Sequence, residues 1–88
     1  MKIVINSELG VKVLKLILKK LYLKETRNDF EILFDYINKT HDFHINRLFL
    51  KKLLEETLDD GLIEYDGSIY YNLADDGEKI MEELILIR

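Results

Sequence analysis

Apolar and polar residues alternate along this chain in two periods. Between Ser7 and Leu23 the apolar positions are Leu9, Val13, Leu14, Leu16, Ile17, Leu18 and Leu21, and Lys12, Lys15 and Lys19 mark the wet face. Spacings of three and four predict an amphipathic helix over 7–23. Ser7 suits its N-cap, Glu8 suits its first turn, and Gly10 weakens its start. The apolar stripe is wide enough to face two neighbours: the domain's own core and, in a chain this small, a second copy. Phe30, Leu33, Phe34 and Ile37 predict a second helix over 29–38, capped from Asn28 or Asp29. Lys39 to His44 is polar and poor in helix formers, which predicts a loop or a very short strand. Phe49, Leu50, Leu53, Leu54 and Leu58 then line one face of a third helix over 46–60. Asn46 caps it, and Gly61 supplies the left-handed residue that ends it.

After Gly61 the period shortens. Residues 62–65 and 69–73 are rich in β-branched and aromatic side chains and predict two strands. Asp66-Gly67 is a strong hairpin signal, with both residues expected at the centre of the turn. Strand alternation sets Tyr70 and Tyr71 on opposite faces, so at most one of them enters the core. A last helix is expected over 75–87, opened by Asp75 and Asp76 and carrying Ile80, Met81, Leu84 and Ile85 inward, with Ile87 extending the stripe.

Eighty-eight residues suffice for one small domain, and the 48% hydrophobic content supports a core. The chain has no cysteine, which excludes disulfides, thiolate metal sites and cysteine nucleophiles. That is compatible with a cytoplasmic location. Residues 1–5 lack the apolar run of a secretory signal. Residues 11–23 carry Lys12, Lys15, Lys19 and Lys20, whereas a bilayer span needs about 20 mostly uncharged residues. No membrane partner is therefore expected. The net charge of −4 is unevenly spread: residues 1–27 hold seven basic and two acidic side chains, residues 28–88 six and fifteen.

The run Leu53-Leu54, Gly61-Leu62-Ile63-Glu64, Asp66-Gly67, Tyr71-Asn72-Leu73 and Asp75-Asp76-Gly77 resembles the winged helix-turn-helix superfamily of small prokaryotic transcriptional regulators. Those proteins often show a helix ending in Gly-Leu-Ile, a strand, a wing turn, and Tyr-x-Leu-Thr-x-x-Gly opening the last helix. The resemblance covers roughly residues 28–86. It implies an α+β winged helix: three helices, a two-stranded wing and a C-terminal helix. It further implies a sequence-specific DNA-binding regulator of transcription acting on double-stranded DNA, with the third helix as reader. Asn46, Arg47 and Lys51 are then the expected base or phosphate contacts, supported by Lys52. Lys12, Lys15 and Lys19, with Lys20 and Lys24, are a second basic face for DNA backbone or an acidic partner. A homodimer is expected through the first helix and the end of the last.

Two positions depart from the family pattern. Ala74 stands where the family usually has Thr, and the wing turn Tyr65-Asp66-Gly67-Ser68 has no Lys or Arg. An aspartate there repels phosphate. The alternative is therefore a protein–protein interaction module, an adaptor or anti-regulator that keeps the fold without binding DNA.

Other chemistry is weaker. His41-Asp42-Phe43-His44 offers two imidazoles and a carboxylate, but no third His or Cys completes a usual metal set. Ser7 and Ser68 are the only serines, and neither sits in a nucleophile elbow. The pairs Glu55-Glu56, Asp59-Asp60, Asp75-Asp76 and Glu82-Glu83 fall at helix ends or on wet faces. The four glycines form no phosphate-cradling loop. The five tyrosines are scattered over different elements and suit a core and its rim. No catalytic residue, metal site or cofactor is expected.

Overall fold

The computed structural model describes residues 4–23, 27–41, 43–67 and 69–86, with the backbone alone for 84–86. Expectations for Lys24, Asp42 and Ser68, for the helix end at 87 and for the side chains of Leu84 and Ile85 lie outside the described residues. Four α-helices and one two-stranded antiparallel sheet follow one another among those residues: α1 (Glu8–Leu23), α2 (Phe30–Asp35), a π-helical turn (Tyr36–Thr40), α3 (Arg47–Asp59), β1 (Ile63–Asp66), β2 (Tyr70–Leu73) and α4 (Asp75–Leu86). The chain is an α+β fold. Its radius of gyration, 12.1 Å, is what one compact unit of this length requires.

Helix α1 starts where Ser7 caps it: the Ser7 Oγ accepts the Gly10 N–H at 3.0 Å and donates to the Val4 carbonyl at 2.7 Å. Val13, Ile17, Leu18 and Leu21 are buried, and Leu14 and Leu16 half-buried. Both flanks of this stripe meet the chain's own elements, since α1 packs on β2, α4 and the π-helical turn. Leu9 stays 38% exposed. The segment before α1 is tied to α3 by the Glu56 carboxylate, which accepts the backbone N–H of Ile5 at 2.8 Å and of Val4 at 3.3 Å.

Asp29 caps α2, accepting the Ile32 N–H at 2.9 Å. The expected loop or strand at 39–44 begins instead as a continuation of the helix to Thr40, in a wider turn. The Asn38 amide sits at the transition. It donates to the Phe34 carbonyl at 3.1 Å, and its oxygen accepts the Ile45 N–H at 2.8 Å. Such a local bond competes with the regular helical ladder and fixes how the chain approaches α3.

At its other end, α3 closes on Gly61 at φ +76°. The Gly61 N–H donates to Leu58 at 3.1 Å and the Leu62 N–H to Thr57 at 3.2 Å, the paired bonds of a Schellman motif. Leu50, Leu53, Leu54 and Thr57 are buried, and the Thr57 hydroxyl is satisfied by the Leu53 carbonyl at 2.6 Å.

The hairpin pairs Ile63 with Leu73 through to Asp66 with Tyr70. Asp66 is therefore a strand residue rather than a central turn residue, and three positions, 67–69, make the connection. Gly67 supplies the left-handed conformation at φ +70°. A further bridge joins Asn28 to Tyr71, whose N–H donates to the Asn28 carbonyl at 2.8 Å. Asn28, β2 and β1 thus lie side by side, with β2 in the middle. Tyr71 is buried and Tyr70 half-buried, as opposite faces require. In α4, Met81 is buried, but Ile80, expected inward, is 36% exposed.

Candidate binding face on the third helix

Asn46 has extended backbone angles, and its Oδ1 accepts the Phe49 N–H at 2.7 Å. This cap fixes where α3 begins. It also changes what Asn46 has to offer: bidentate pairing with adenine needs both amide oxygen and nitrogen, and the oxygen faces the helix. While the cap holds, only the amide N–H groups remain for an outside partner.

Arg47, in the first turn, is exposed, yet its guanidinium is engaged on two sides. Its Nη2 donates to Glu31 Oε1 at 2.8 Å and its Nη1 to Glu31 Oε2. The same group lies over Phe34, 4.7 Å from the ring centroid, and over Phe30 at 5.9 Å. Phe30 and Phe34 stack nearly parallel, 6.1 Å apart, so α2 supplies both the carboxylate and the aromatic bed. The Arg47 hydrogen bonds hold the Glu31 carboxyl below the usual carboxylate range. The pair is open to water and salt, which leaves it exchangeable for another anion.

One turn further, Lys51 and Lys52 are exposed. No ion pair joins Lys51 to any described residue. Arg47 and Lys51 share the edge of a cleft of about 510 Å³ between α3, the start of α2 and the hairpin. The buried Leu54 and Tyr71 form its floor, and Glu55 also lines it. Its walls hold two exposed apolar side chains, Leu48 at 62% and Tyr65 at 52%. The Tyr65 and Tyr71 rings lie 5.1 Å apart, tilted by 37°. Burial first, then the bond to Tyr65, pushes the Tyr71 hydroxyl well above its ordinary range.

Of the residues expected at a site, the fold brings Arg47 and Lys51 into one cleft and leaves Lys52 beside it. Lys12, Lys15 and Lys19 are exposed on α1. Lys12 stands 3.6 Å from Glu8 across one turn. Phe30, Leu48 and Tyr65 belong to the cleft and were not anticipated. Leu48 was readable in principle: it is a large apolar residue off the stripe formed by Leu50, Leu53 and Leu54. His41 packs edge-on against Tyr36, and His44 is exposed. Among the described residues no group of three or more His, Asp or Glu is placed to hold a metal, and no helix is long and apolar enough to cross a membrane. No protein-family model, curated protein or solved structure matches the chain.

Proposed function

We propose that the chain is a winged-helix DNA-binding regulator whose α3 meets the duplex, working as a homodimer in the cytoplasm. The observation that carries this reading is the exposed cationic front of α3: Arg47, Lys51 and Lys52 face solvent within two turns, backed by α2 and followed by the hairpin. The bridge at Asn28 supports the winged-helix layout, because a short segment between the first and second helices there adds to the hairpin. Arg47 reaches a phosphate or base by exchanging Glu31 for it. Leu9 and Val11 on opposite flanks of α1 and Ile80 on α4 are partly exposed apolar positions, and a second copy seated on α1 covers one of the two flanks.

A fluorescence-anisotropy titration on random-sequence duplex tests the electrostatic part. Three cations per protomer, six per dimer, give a slope of log affinity against log salt of about −5.4, so affinity falls roughly 1,800-fold between about 50 and 200 mM salt. The Arg47→Ala/Lys51→Ala double variant, which removes four cations from the dimer, should lose about 3.6 of that slope. A parent protein that ignores duplex DNA at the lower salt ends this reading.

Leu48 and Tyr65 favour a second reading, a protein-interaction module. Two large apolar side chains on the rim of one cleft suit a protein partner better than a phosphate backbone. On that reading a partner co-purifies with the chain, and Leu48→Asp abolishes the association while duplex DNA is not bound.

A further inference from the structure

We propose that the cleft between α3 and the hairpin is a binding site for a small, planar, apolar monoanion of the aromatic carboxylate class. The ligand's carboxylate lies at Arg47 and Lys51, and its ring lies between Leu48, Phe30 and the Tyr65–Tyr71 pair. The proposal goes beyond DNA binding and stands without it, since it needs no duplex.

Size comes first. About 510 Å³ falls within the range of clefts that enclose small molecules and exceeds the gaps left by imperfect side-chain packing. The interior chemistry then selects an apolar body. Leu54 and Tyr71 are buried beneath it, and Phe30, Leu48 and Tyr65 rise around it. Three of those five side chains are aromatic, and their faces favour an offset or edge contact with another ring.

The rim selects the charge. Arg47 has five N–H donors and gives Glu31 two of them, so three remain on a guanidinium already held by Phe34 and Glu31. A donor fixed beforehand loses little freedom when it binds. Glu31 offsets the charge of Arg47, and Lys51 supplies positive charge that no described residue pairs. Glu55 also lines the cleft, one turn beyond Lys51 and two beyond Arg47, so about 12 Å from Arg47 along the helix axis. A carboxylate facing Glu55 would meet like charge. Along α3 the cleft edge thus runs from Arg47 through Lys51 to Glu55, which draws a carboxylate toward the Arg47 side and disfavours a dianion.

The test uses the full chain, with naphthoate as the probe, followed by amide-resolved NMR. Saturable shifts centred on Leu48, Lys51, Tyr65 and Tyr71 are expected. Naphthamide, which keeps the rings and loses the charge, should bind about tenfold more weakly, the size of one lost charge-assisted hydrogen bond. A naphthalene dicarboxylate should also bind more weakly than naphthoate. Lys51→Ala should narrow the gap between naphthoate and naphthamide, and Tyr65→Ala should weaken both. Both positions are exposed, and the comparison among the three probes needs no variant at all. Equal binding of naphthoate and naphthamide overturns the proposal, as do shifts that never saturate or that map away from the cleft.

Discussion

Replacing Gly77 by alanine separates two physical effects of opposite sign. Gly77 lies buried in the first turn of α4. A Cβ there would stand 2.1 Å from the Leu62 carbonyl oxygen and 3.0 Å from Leu73 Cδ2. Carbon–oxygen contacts settle at about 3.3 Å or more, so α4 and the start of the hairpin must separate by about 1 Å. That carbonyl is also the acceptor for the Ala74 N–H, at 3.0 Å, and the Ala74 carbonyl in turn accepts the Glu78 N–H at 3.0 Å. The clash therefore falls on backbone that is already hydrogen-bonded, with no flexible side chain to yield.

Overpacking costs about 1–3 kcal/mol and a weakened hydrogen bond about 1 kcal/mol. Against this, alanine gains up to about 1 kcal/mol over glycine in a helix, and less in a first turn. The net loss is about 2 kcal/mol. In a domain of this size that lowers the melting temperature by roughly 8–16 °C. Reversible thermal and urea unfolding followed by far-ultraviolet circular dichroism reads it directly. A variant that melts at or above the parent temperature would mean that helix propensity outweighs the contact, and the packing of α4 on Leu62 would then be misassigned.

Three further outcomes follow from the same bonds. Asn46→Ala should lose about 1 kcal/mol in urea unfolding through the missing cap, while Asn46→Asp should keep most of it; equal losses would mean that the cap is not the source. Ionised Tyr71 is disfavoured by burial, so its folded value lies above the ordinary value of about 10. Its contribution to stability is then complete below about pH 10 and lost as pH rises beyond it, and Tyr71→Phe should flatten the alkaline arm of a stability profile. Glu31 is shifted the other way, so its pairing with Arg47 persists above the ordinary carboxylate value and is lost as pH falls through the lowered one. A side-chain NMR titration of Glu31 should show its midpoint rise in Arg47→Ala, and an unchanged midpoint would refute the pairing in solution.

Periodicity carried much of the fold because it registers burial. The stripes at Val13, Ile17 and Leu21, at Leu33 and Ile37, and at Leu50, Leu53 and Leu54 all reached the core. Backbone departures were less legible. The π-helical turn at Tyr36–Thr40 depends on where the Asn38 amide finds its partners, and one of these, Ile45, is seven residues away. The hairpin connection slipped by one residue: the Leu62 N–H is taken by Thr57 at the end of α3, and β1 begins at Ile63. Gly77 was legible only as part of the motif that opens the last helix. Its reason is the carbonyl of a residue fifteen positions earlier, which no local pattern contains.

The front of α3 was hardest to read, since its residues serve two masters. Asn46 can cap or it can read a base, and the helix start requires the cap. Arg47 can reach outward, or it can lie on Phe34 and hold Glu31, and α2 offers both partners at once. The cationic charge that reaches solvent without a local partner consequently moves from the first turn of α3 to the second, at Lys51. The first turn presents Leu48 instead. A duplex approaching α3 by its tip would press phosphate against an exposed leucine, which gains nothing. One approaching along the flank meets Lys51 and Lys52 and can draw Arg47 away from Glu31. On the DNA reading, then, Lys51→Ala should weaken duplex binding more than Asn46→Ala does. A larger loss from Asn46 would place the contact at the tip and count against the flank approach.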